Sequence, residues 1–140
     1  MKKKGQVIVE IMIAFAVMVV AVVALVSAVT KSVSNSGVSK RQSAATAYAT
    51  QGMEWVRGQR DVLGWGGTGG FYAKAGTFCL NMLAWNSMPC VLITGTEFTR
   101  IVNISQVVGD VQQIQAVVTG TWVESARTQT TSQTTFFTAY

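Results

Sequence analysis

The stretch Lys2-Lys3-Lys4-Gly5-Gln6-Val7-Ile8-Val9-Glu10, followed by IMIAFAVMVVAVVALVSAVT over residues 11–30, decides how this chain is read. Residues 11–30 contain no charge and no proline. As a helix they would extend about 30 Å, enough to cross the hydrocarbon core of a bilayer. The competing reading is a helix buried in a soluble domain, but a 140-residue chain has little left to cover such a helix on every side. The lysines ahead of the run also look like the basic start of a secretory signal, with Ser27-Ala28 as a small-residue cut site. The run is long for that, and the signal reading leaves Glu10 unexplained. A carboxylate in an apolar, membrane-length stretch costs roughly 2.5–3.5 kcal/mol on insertion scales, so it is a functional residue by default. Nearby residues of the same helix offer it no basic partner, unless it lies shallow enough to reach lipid headgroups.

The composition points the same way. The chain is 49% hydrophobic and only 12% charged, where about a quarter charged is usual for a soluble domain. Disorder is excluded too, because it needs high charge and low hydrophobicity. Histidine is absent, and two cysteines with six scattered acids make a metal or histidine-dependent catalytic site improbable. No enzyme and no cofactor are expected. The net charge of +5 is unevenly placed. Lys2, Lys3 and Lys4 supply three positive charges and Glu10 one negative. Five bases and two acids lie in residues 31–61, and residues 62–140 balance to zero. No strong nucleic-acid binding is expected from a neutral C-terminal part.

The basic leader ending in Gly5, the glutamate at Glu10 and the long apolar run together resemble the N-terminus of type IV prepilins and pseudopilins. The resemblance covers about 25 residues and departs from the family at Gln6, where phenylalanine is usual. It implies cleavage between Gly5 and Gln6 by a prepilin peptidase on the cytoplasmic side, with N-methylation of Gln6. It implies that Glu10, fifth after the cut, sets subunit register by meeting the new ammonium of Gln6 on a neighbour or on its own chain. It further implies a single-pass subunit in the cytoplasmic membrane, passed by an inner-membrane assembly platform into a homo-oligomeric extracellular filament. A mispaired charge in an apolar phase is expensive, so such a pair rewards one axial register.

The expected fold class is α+β, pilin-like, with a long N-terminal helix packed on a small antiparallel sheet. Residues 1–5 form the leader, 6–30 the apolar helix, 31–61 its amphipathic second half, and 62–140 the head. In the second half Val38, Ala45, Tyr48, Gly52, Trp55 and Val56 recur at helical steps. Residues 32–37 are the natural place for a break. Residues 63–70 are rich in glycine but lack P-loop spacing, so they read as a crossing into the sheet. Four β-prone stretches follow, at 90–94, 97–108, 112–123 and 127–138, with turns at Gly109-Asp110 and residues 124–126. Ile114, Ala116, Val118 and Trp122 share one face by period two. Cys79 and Cys90 are a disulfide candidate in an oxidising space, or else two buried thiols. The apolar segment between them (Leu80, Met82, Leu83, Trp85, Met88, Pro89) reads as core or as a subunit contact. Trp65, Phe71 and Tyr72 read as core, as a subunit contact or as an adhesive patch.

The expected function is therefore a pilus structural subunit. A minor pilin, a type II secretion pseudopilin, an adhesive or DNA-uptake tip, and a membrane-anchored protein that never polymerises are the alternatives.

Overall fold

The computed structural model describes residues 3–107 and 113–139. Helix α1 spans Lys3–Leu63 and continues through residues 32–37 without interruption. A short 3-10 turn, Phe71–Lys74, then leads into β1 (Gly76–Cys79). Strands β2 (Thr99–Gln106), β3 (Gln113–Glu124) and β4 (Arg127–Thr138) complete an antiparallel sheet in the order β1-β2-β3-β4. The α+β layout is as expected. The chain divides into two compact units, residues 1–40 and 41–140.

The second unit is built on two matching periods. Along α1, Ala45, Ala49, Gly52, Met53 and Val56 are buried at three- and four-residue steps, the spacing that keeps side chains on one helix face. Along the strands, Val102 and Ile104 alternate inward on β2, and Ile114, Ala116, Val118 and Trp122 on β3. The two apolar surfaces meet, with Phe71, Leu80 and Phe137 closing the core. Helix and sheet approach closely at Gly120, where a Cβ would stand 2.9 Å from the Ala45 carbonyl oxygen. At Gly52 a Cβ would stand 2.6 Å from Arg100 Cδ.

Several expectations need correction. Residues 90–94 are not a strand. The chain there turns back on itself, with Ile93 N–H donating to the Phe98 carbonyl and Thr96 N–H donating to the Ile93 carbonyl. Its apolar residues lack alternation, and Val91 and Leu92 are exposed. The strand on the other side of β2 from β3 is instead β1, whose four residues, beginning with glycine, are too few to show a period. The second expected strand begins at Thr99 rather than residue 97, and the third ends at Glu124. Val38, expected on the packed helix face, is exposed and lies in the first unit. The expected turn at Gly109-Asp110 lies outside the described residues. The β3–β4 connection is a two-residue turn at Ser125 and Ala126, both in the left-handed region at φ 48° and 62°.

Candidate assembly surface

In the first unit, every residue of α1 from 6 to 40 is exposed. The large apolar side chains from Val7 to Val33 are each 51–69% exposed. They lie on all sides of the helix, as a membrane-spanning or helix-bundling segment requires. From Gln6 onward the helix is long and apolar enough to cross a membrane. Gln6, Val9, Glu10 and Ile13 line one shallow hollow on a single helix face. Gln6 and Glu10 are one turn apart, the separation at which helical side chains become neighbours. The main chain at Gly5 is helical. One turn further on, Ile11, Met12, Phe15, Ala16 and Val19 form a second hollow without a charged side chain.

The second unit is tied together by polar groups that the sequence reading did not single out. Arg100 is 1% exposed. Its Nε and Nη2 donate to the Leu80 carbonyl at 3.1 and 2.7 Å. Its Nη1 donates to the Tyr48 carbonyl at 3.0 Å and to Gln51 Oε1 at 2.9 Å. One guanidinium thus ties α1, β2 and the loop after β1. Among the described residues its partners are neutral oxygens, with no carboxylate in an ion pair. Burial lowers the Arg100 pKa, and the interaction with Tyr48 acts the other way. The charged form is therefore disfavoured by folding, and the hydrogen bonds must offset that at neutral pH. The available signal was parity, since Arg100 stands two residues before Val102 and four before Ile104 on the inward face.

Near the start of this unit, Arg41 reaches two acids, Glu97 at 3.1 Å and Glu124 at 2.9 Å. Cys79 and Cys90 are joined by a disulfide, with Cα atoms 5.3 Å apart. The segment they enclose divides. Leu80 is fully buried and Trp85 packs on the core, whereas Met82 and Met88 are exposed. Phe71 is core, its ring 5.2 Å from that of Phe137. The rings of Trp65 and Tyr72 meet at a tilt, 5.7 Å apart, at the core's margin.

Among the described residues, no three histidine, cysteine, aspartate or glutamate side chains come together as a metal site. No family model, curated protein or solved structure matches the chain.

Proposed function

We propose that this chain is the structural subunit of a type IV pilus-like filament. It would be inserted in the cytoplasmic membrane as a precursor, cut between Gly5 and Gln6, and polymerised through residues 6–40. In this reading it carries out no catalysis, and its partners are the membrane, a prepilin peptidase, an inner-membrane assembly platform and further copies of itself. The observation that supports it best is the coincidence of an apolar, uncovered helix with a single carboxylate one turn from Gln6. Water disfavours such a surface, and lipid first and neighbouring helices later are the environments that suit it. Cleavage would place an ammonium at Gln6, within reach of Glu10 on the same or an adjacent helix. Residues 41–140 hold the rest of the chain folded while that helix changes surroundings.

The test is the mass of the mature N-terminus, together with imaging of the purified material. A chain beginning at methylated Gln6 and present in filaments is expected. A chain that keeps Lys2–Lys4, or is cut near Ala28, defeats the reading. Glu10→Ala is expected to leave membrane insertion intact and to abolish or misregister assembly.

A further inference from the structure

The sheet has two edges, and they are treated differently. The β1 edge is four residues long, and a bridge between Cys79 and Asn86 covers its end. The β4 edge is twelve residues long, and no strand lies beyond it among the described residues. Exposed edge strands are ordinarily kept apart by lysines, prolines, bulges or brevity. Strand β4 reads RTQTTSQTTFFT, with no lysine, acid, proline or glycine. Its pairing with β3 runs from Gln113↔Thr138 to Glu124↔Arg127 without a bulge. Segments of high β-propensity and low net charge with these properties readily accept a further strand.

The helix meets β4 on its inner face, at its middle as well as at its end: Thr46 Oγ1 lies 3.4 Å from Thr131 Oγ1. Arg57 donates to Thr135 Oγ1, and Arg60 donates to the Thr138 carbonyl. The stretch 128–134 keeps its outward row of Thr128, Thr130, Ser132 and Thr134 exposed. We propose that this edge of β4 pairs antiparallel, about a two-fold axis near residue 131, with the same edge of a second copy of this chain.

The placement of charge selects a second copy in the antiparallel sense. The single charge of β4 is Arg127, at its first position. A parallel, in-register pair would set Arg127 beside Arg127, and like charges directly opposite are destabilising. An antiparallel pair centred near residue 131 sets Arg127 opposite Thr135 and separates the two arginines by about 27 Å at ~3.4 Å per residue. That exceeds the screening length of about 8 Å at physiological salt. The hydroxyl row then meets its own kind, as it already does where Thr119 and Ser132 lie 3.0 Å apart across β3 and β4. A two-fold contact closes on itself and cannot propagate a polar filament. It would instead join heads in pairs, including heads of neighbouring filaments, and so goes beyond the filament reading.

The test uses the full chain in detergent micelles, with the Cys79–Cys90 disulfide intact. Thr128→Cys, Thr130→Cys, Ser132→Cys and Thr134→Cys are compared with Thr77→Cys on β1 for disulfide-linked dimer. With the axis at residue 131, position 130 faces 132 of the copy and 128 faces 134, so yields should be highest for Thr130→Cys mixed with Ser132→Cys and for Thr128→Cys mixed with Thr134→Cys, and about tenfold lower for each variant alone, whose own copy is offset by two or six residues. Mixtures that yield no more than the single variants, or no more than Thr77→Cys, overturn the proposal. As a second arm, Thr130→Lys with Ser132→Lys should abolish concentration-dependent dimer in sedimentation while the thermal midpoint is kept. Dimer unchanged by those lysines also overturns it. Filament formation is read separately in the same variants. Its absence would count against the proposed function, whereas a lost cross-linking preference counts only against this contact.

Discussion

Residues 6–40 and 41–63 belong to one helix, yet their side chains face opposite demands. In the first stretch, apolar residues surround the axis as far as residue 30, and every residue from 6 to 40 is exposed. In the second, an apolar stripe at Ala45, Ala49, Met53 and Val56 is wholly covered, and polar residues take the other faces. Helix propensity does not distinguish the two, since valine-rich and alanine-rich segments are both helical here. What differs is where the hydrophobic free energy is collected. The covered stretch collects it within the chain at roughly 25 cal/mol per Å² of apolar surface removed from water. The bare stretch can collect it only from lipid or from other chains. Substitutions in the covered stretch and its supports should therefore change head stability, and those in the bare stretch should leave it unchanged.

The largest expected effect is at Arg100, which holds the covered stretch to the sheet. Arg100→Ala removes four hydrogen bonds and leaves the Leu80 carbonyl short of both its donors from this side chain. Loss of a buried network of this kind typically costs about 3–5 kcal/mol, read as a lower denaturant midpoint. A midpoint within error of the parent would mean that helix and sheet are held by apolar contact alone. Next comes the Cys79–Cys90 bridge, whose 11-residue separation corresponds to about 2.5–3 kcal/mol in the chain-entropy account. Reduction should lower the melting temperature of the head and leave the far-UV helix signal of residues 6–40 in place. If both signals are lost together, the two units are not separable.

A matched pair of glycines sharpens the contrast. A Cβ at Gly52 would meet Arg100 Cδ at 2.6 Å and Val118 Cγ1 at 2.9 Å. Gly52→Ala should therefore destabilise the head by about 1–3 kcal/mol through overpacking. A Cβ at Gly37 has nothing within 4 Å. Gly37→Ala should strengthen the helix by about 1 kcal/mol, visible as slower hydrogen exchange over residues 31–40. The same chemical change is thus expected to act with opposite sign in the two stretches. Equal signs would remove the distinction drawn between them.

Legibility in the sequence followed the same division. The bare helix was readable because 20 uncharged residues without proline permit few alternatives. Strand β3 was readable because one face is buried and the period is two. What escaped depended on partners distant in sequence. Arg100 looks like one of three balancing bases until β2 places it beside Val102 on the inward face. The bonds it makes lie 20 and 52 positions away, at Leu80 and Tyr48. Strand β1 is too short to show a period, and residues 90–94 showed apolar character without one. The one-turn separation of Gln6 and Glu10 was visible as spacing, whereas the pairing proposed for them came from the family resemblance.

The smallest expected effect lies near the boundary between the units. Arg41 pairs with Glu97 and Glu124 from the first turn of the covered stretch, with its own side chain 44% exposed. Exposed ion pairs are worth only about 0.2–1 kcal/mol, because water and side-chain entropy offset the attraction. Arg41→Ala should therefore lower the melting temperature of the head by a few degrees at most, and the difference should shrink as salt approaches 1 M, where screening shortens to about 3 Å. A loss that resists salt would show that Arg41 acts through the packing of its alkyl stem rather than its charge. The covered stretch would then begin, in energetic terms, at its first residue, and the change from bare to packed helix would be abrupt.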